Sequence, residues 1–233
     1  MDALSITTGV LTLLSACITV SIELKRLKQG SAEAGTTINA LLSDVNGLRT
    51  VLQSMETTFD EIETREGFQK TGHIGAHWQN LNESLHDAYE TLVELETLAK
   101  SLNRSVTVLD GPRRSMRLQA ATTQIVNHRQ QIQTYRDAMQ FSLQTIIFWN
   151  TMSIKDTTCK VLPSMEALDQ NIDRLASNLE VKLQGLLNLF SSPEQQPRKD
   201  AIERLNVFVK SAAIKYILFD SAYTVIDPDD INI

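Results

Sequence analysis

The chain has 233 residues, 42% hydrophobic and 21% charged, a composition suited to one folded globular domain or to one domain with an appendage. A formal net charge of −6 and a pI near 5.3 argue against a general nucleic-acid binder, which needs a basic face to neutralise phosphates. Cys17 and Cys159 offer no disulfide framework and fit a reducing compartment.

The first element spans residues 3–27 and is unusual in composition. From Ala3 to Ile22 it carries no charge, yet seven of those twenty residues are Ser or Thr. At about 100° per residue the helix divides into three sectors. Ile6, Val10, Leu13, Cys17, Val20 and Leu24 form a heptad-like seam that predicts burial against neighbouring helices. Ser5, Thr8, Thr12, Ser15 and Thr19 form a hydroxyl stripe. Leu4, Leu11, Leu14, Ile18 and Ile22 make a second apolar sector, which packing of the seam alone does not explain. The chain opens Met-Asp and has no Lys or Arg before Lys25, so the basic start of a secretory signal is missing and export is not expected. The length suits a bilayer, but the hydroxyls make the segment marginal as a permanent anchor. It reads as conditional, able to sit in a protein core or in lipid. The competing reading is a central helix buried on two sides and never released.

Glycine- and proline-containing joints follow at residues 30–35, 67–75, 110–112, 155–163 and 191–197. The long stretches that they bound lack strand alternation and have helical period. The second helix places Ile38, Leu41, Val45, Leu48, Leu52, Met55, Phe59 and Ile62 on one seam. The third repeats the rule from Trp78 through Leu81, Leu85, Ala88, Leu92, Leu95 and Ala99 to Leu102. The fourth and longest runs from Leu118 through Ile125, His128, Ile132, Tyr135, Met139 and Ile146 to Trp149. The fifth starts near Pro163 and points Met165, Leu168, Ile172, Leu175, Leu179, Leu186 and Phe190 inward. A short sixth helix is expected from Arg198 to about Phe219, although residues 214–226 are also β-prone, and an acidic tail closes the chain. The pattern predicts an all-α, up-and-down bundle of about five long helices plus a short C-terminal one. The expected division is a bundle at 1–190, a linker at 191–197, and a C-terminal helix and tail at 198–233.

Motifs for chemistry are missing from the sequence. It has nine glycines and contains no phosphate-binding loop, nucleophile elbow, HExxH or CxxC stretch. His73 and His77 stand four apart at a helix start without an obvious third ligand, so no metal is assigned. His128 falls on a seam and reads as a core histidine. Acidic pairs such as Asp60 with Glu61 and Glu94 with Glu96 read as solvent faces and not as a general acid/base couple. A non-enzymatic protein without cofactor or metal is the expectation. One local feature runs against the acidic balance: Arg104, Arg113, Arg114 and Arg117 cluster around Asp110. Of these, Arg113, Arg114 and Arg117 are candidates for meeting anionic lipid head groups, against the alternative of a solvated loop.

Three stretches, MDALSITTGVLTLLSACITV at the start, INALLSDVNGLRTVLQSME at residues 38–56 and RLQAATTQIVNHRQQIQTYRDAMQFSLQTI at residues 117–146, resemble the fungal HeLo-like N-terminal domain. That domain fronts NLR-type receptors and short cell-death proteins, and the likeness covers about residues 1–190. The resemblance implies a bundle akin to HeLo and to the four-helix domain of the necroptosis pseudokinase MLKL. It implies a cytoplasmic resting state, activation by oligomerisation under an upstream NLR or amyloid-signalling partner, and permeabilisation of the plasma membrane by the N-terminal segment. In this chain that segment corresponds to Leu4, Ile6, Val10, Leu11, Leu14, Ile18 and Ile22. No nucleotide-binding module and no clear amyloid motif follow Pro197, which departs from the family's usual arrangement. The alternative function is a helical oligomerisation or adaptor module that relays a signal without entering the membrane.

Overall fold

The structure, a computed structural model, describes residues 3–29, 35–60, 75–103, 111–154, 162–189 and 198–210. They form an all-α, up-and-down helical bundle with no strand among the described residues. The helices are α1 (Ala3–Gln29), α2 (Gly35–Asp60), α3 (Gly75–Asn103), α4 (Gly111–Ala120), α5 (Thr122–Ile154), α6 (Leu162–Leu189) and α7 (residues 198–210).

The expected seams of α1, α2, α3 and α5 are where the side chains are buried; on α6 Ile172, Leu179 and Leu186 are buried and Leu168 and Leu175 half-buried, while the side chains of Ile62, Trp78, Trp149, Met165 and Phe190 lie outside the described residues. Ile6, Val10, Leu13, Cys17, Val20 and Leu24 of α1 are all buried, as are Ile38 to Phe59 along α2 and Leu81 to Leu102 along α3. The heptad-like spacing returns one apolar residue to the same face every turn, so each helix must cover that face with a neighbour. Accordingly α1 packs against both α2 and α3. Gly9 permits a close approach, since a Cβ there would stand 3.3 Å from Leu85 Cδ1 on α3. Gly47 does the same on α2, where a Cβ would stand 3.3 Å from Arg136 Cδ of α5.

One helix starts differently from the sequence reading. The joint at Asp110–Pro112 gives way at once to α4, whose second residue is Pro112, a first-turn position that needs no amide donor. A turn at Ala121 separates α4 from α5, but the hydrogen-bond ladder continues through it: Ala121 N–H donates to Arg117 C=O at 3.0 Å and Ile125 N–H to Ala121 C=O at 2.9 Å. The fourth predicted helix therefore begins seven residues before Leu118, at Gly111, with a turn near its start. The part of the sixth predicted helix that is described is 198–210, and its expected continuation to Phe219 lies outside the described residues.

The chain groups into two compact units, residues 1–140 and 141–233, with the boundary inside α5. In the first unit, Leu24 and Leu27 of α1 meet Ile38 and Leu41 of α2, Leu95, Leu98, Ala99 and Leu102 of α3 and Ile125 of α5 at one apolar junction. A polar tie crosses the same unit. Asp44 of α2, itself buried, accepts from Arg129 Nε at 2.8 Å and from Gln133 Nε2 at 3.0 Å, both on α5. In the second unit Phe141, Ile146, Ile172, Leu179, Leu183, Leu186, Leu205 and Phe208 are among the buried side chains.

Candidate functional site

The surface of α1 is built by three stripes of different chemistry on one helix. Its seam faces inward. Of the second apolar sector, Leu11, Ile18 and Ile22 are 48%, 49% and 46% exposed, and Leu14 between them is half-buried. Leu4 belongs to α1, but its side chain lies outside the described residues. Thus the structure brings Leu11, Ile18 and Ile22 together on one open row and sends Ile6 and Val10 to the core. Isolated exposed apolar residues are ordinary. A row of three at spacings of seven and four along one helix is a continuous apolar strip.

Beside the strip runs the hydroxyl stripe, with Thr8, Thr12 and Ser15 exposed and Thr19 half-buried. Thr12 Oγ1 donates to Thr8 C=O at 2.8 Å and Thr19 Oγ1 to Ser15 C=O at 3.1 Å. These hydroxyls are satisfied by the helix itself. They can leave water for an apolar medium without leaving a donor unmade, which is the main cost of burying a polar group. Ile6–Lys28 is the one stretch among the described residues long and apolar enough to cross a membrane by length and composition, a test that a core helix of a soluble protein also passes.

The C-terminal end of α1 has another character. Glu23 is buried, and its carboxylate accepts from Arg26 at 2.7 Å and from Asn103 Nδ2 at 3.1 Å, while Asn103 Nδ2 also donates to Glu23 C=O at 3.0 Å. Asn103 ends α3, so the clasp ties the two helices. Lys100, one turn earlier on α3, is held above the usual lysine range by its hydrogen bond to Glu96, then by the Glu96 charge, with a smaller contribution from Glu23. Lys25, Arg26 and Lys28 leave three cations just beyond the uncharged run.

The arginine candidates fall on a helix, not on a loop. Arg113, Arg114 and Arg117 all lie in α4, where Arg117 is half-buried and neighbouring Met116 is exposed. The side chains of Arg113 and Arg114, and Arg104 altogether, lie outside the described residues. Helix α4 packs against α3. His128 is fully buried on the α5 seam. His73 lies outside the described residues, as does the side chain of His77. No group of three His, Cys, Asp or Glu side chains among the described residues is placed to hold a metal ion. Cys17 is a free, buried thiol in the α1 seam, while Cys159 lies outside the described residues.

Sequence reasoning missed both polar ties, Glu23–Asn103 and Asp44–Arg129–Gln133. A buried acid is legible only where it interrupts an apolar face, and Glu23 does so beside Leu24. Its partner is 80 residues away, and nothing local announces it. In comparisons with protein-family models, with curated proteins and with solved structures, none matches the chain.

Proposed function

We propose that the chain is a non-enzymatic membrane-permeabilising execution domain, of the HeLo-like kind that its sequence resembles, in which α1 leaves the bundle and enters a bilayer after the chain self-associates. It rests in the cytoplasm and acts at the plasma membrane, under an upstream NLR or amyloid-signalling partner. The observation that carries this reading is the exposed row Leu11, Ile18 and Ile22 on a helix whose opposite seam is fully buried. Water covers that row in the resting bundle, whereas hydrocarbon would cover it in a bilayer. The seam exchanges one apolar surrounding for another, so its burial is not lost on transfer. The row gains about 1 kcal/mol per residue, because full burial of such a side chain is worth about 1.5–3 kcal/mol and each is already about half covered. The uncharged run Ala3–Ile22 also has the right length: twenty residues span about 30 Å as helix, the thickness of a hydrocarbon core.

An adaptor would use the same row to seat another helix, and Leu11→Lys separates the two readings. Leu11 is half exposed, so a lysine can lay its stem along the helix and keep its charge in water. The bundle should remain folded, with a melting temperature within a few degrees of wild type. A charge near the middle of a spanning helix costs about 2.5–3.5 kcal/mol on insertion scales, about a hundredfold per inserted chain. Dye release from anionic liposomes should therefore collapse in the variant. A folded Leu11→Lys chain that releases dye as well as wild type would refute insertion of α1. Self-association without dye release by the wild-type chain would favour the adaptor.

A further inference from the structure

We propose that α1 is built in two parts: a blade, Ile6–Val20, that opens from the bundle, and a root, Glu23–Leu27, that stays clamped to α2 and α3 while the blade is out. The inference rests on the functional reading above and adds where the moving segment ends. The two parts are held by different means. The seam of the blade is apolar throughout, its remaining circumference is half-buried or open, and the described hydroxyl bonds it makes return to its own backbone. What the seam of the blade contributes is apolar contact, which hydrocarbon can replace.

The root is gripped from two directions. Leu24 and Leu27 fill the apolar junction where α2, α3 and α5 meet. On the polar side Glu23 is tied through both its carboxylate and its backbone carbonyl to Asn103 at the end of α3. Moving Glu23 out would strip a buried carboxylate of Asn103 and of the nearby Lys100 charge, and hydrocarbon offers no replacement. Between the two parts lies Ser21. Its Oγ is buried and has no hydrogen-bond partner among the described residues, an unmet cost of burial at the joint between the two parts. The tie also stands one residue past the uncharged run, so the length that would cross hydrocarbon ends where the root begins. Lys25, Arg26 and Lys28 would then lie at the head-group layer, with the rest of the bundle docked behind them.

Native-state hydrogen exchange on the full chain tests this, because local opening exposes amides in contiguous cooperative units. Amides of residues 10–20 should show protection at least tenfold lower than those of residues 24–28, through an opening smaller than global unfolding. Equal protection along α1 would overturn the two-part helix. Asn103→Ala should cut protection at 24–28 by about tenfold and so erase the step. Arg129→Ala breaks the separate α2–α5 tie and controls for general destabilisation, so it should leave the step in place. A uniform loss of protection in Asn103→Ala, matching that in Arg129→Ala, would show that the clasp has no local role and overturn the proposal. With vesicles of phosphatidylcholine and phosphatidylserine, the wild-type chain should keep residues 24–28 protected while releasing dye, and loss of that protection on release would disprove a retained root. Absence of dye release, with the step intact in solution, would instead count against the membrane function and leave the two-part helix standing.

Discussion

Helices α1 and α5 invert the usual relation between composition and burial. The uncharged run of α1 is the most apolar stretch of the described helices, yet it leaves Leu11, Ile18 and Ile22 in water. Helix α5 reads as polar along much of its length, with Gln131, Thr134, Asp137, Ser142 and Thr145, and all of these are buried. Its middle carries buried residues around most of its circumference: Tyr135, Ala138, Met139, Phe141, Leu143 and Ile146 join the polar ones. What a helix is made of decides which solvents it tolerates, whereas its neighbours decide which one it gets. The two helices share one device. Thr134 and Thr145 of α5 donate to the carbonyls of Gln130 and Phe141, each at 2.8 Å, as Thr12 and Thr19 of α1 donate to Thr8 and Ser15. On α5 the device lets hydroxyls enter a protein core. On α1 the same bonds lie on an open or half-buried surface.

The contrast is most exposed to test at Phe141 and Leu11. Phe141→Ala deletes a fully buried ring and should cost about 3–5 kcal/mol, lowering the melting temperature by about 10 °C or more for a chain of this length. Leu11→Ala removes a half-exposed side chain and should cost about 1 kcal/mol or less. Thermal melts of the two variants decide the matter: comparable losses would mean that the α1 row is covered in solution and that the difference between the helices is not real.

A middle-sized effect is expected at Asp44, which the α2 seam pattern leaves between Leu41 and Val45. Asp44→Ala strips Arg129 and Gln133 of their shared acceptor. Bonds to charged groups contribute about 1.5–3 kcal/mol, and Arg129 keeps 30% of its side chain in water, so the lower end applies. Denaturant melts should register that loss without a change in helix content. A neutral Asp44→Ala would show that apolar packing alone holds α2 to α5.

Much of this fold is legible in sequence, because six apolar residues on a heptad-like spacing can be buried together only on a helix. The seams of α1, α2 and α3 are such cases. The α5 seam was legible too, as far as Ile146, but the further burial of its flanks was not. Thr134 and Thr145 on those flanks look like solvent residues until their bonds to the backbone are seen. The start of α4 was hidden by its own joint chemistry, since Gly111-Pro112 signals a turn as readily as the first turn of a helix. For the candidate site, the second apolar sector was visible as an excess over what the seam needs. Which way it faces was not, because the same wheel fits a helix buried on two sides. The Glu23 clasp was beyond reach for a simpler reason: contacts between residues 23 and 103 leave no local pattern.

The smallest expected effect gives the finest test of the comparison, a single hydroxyl and methyl removed from each helix. Thr12 is exposed on α1 and Thr145 is fully buried on α5, and both donate to the carbonyl four residues earlier. Thr145→Ala opens a small void where no water replaces the lost atoms, and should cost about 1–2 kcal/mol. Thr12→Ala loses a bond that water can replace, while alanine is the better helix former by up to about 0.7 kcal/mol, so stability should stay level or rise slightly. The same substitution bears on insertion. A hydroxyl already bonded to its own helix adds little to the cost of entering hydrocarbon, so Thr12→Ala should release liposome dye as wild type does or slightly better. A Thr12→Ala chain that stays folded but no longer releases dye would mean that this hydroxyl meets a specific partner in the active state, such as the same helix of a second copy. The stripe would then be a recognition surface, and the division of α1 into an apolar row that acts and a hydroxyl row that merely tolerates would have to be redrawn.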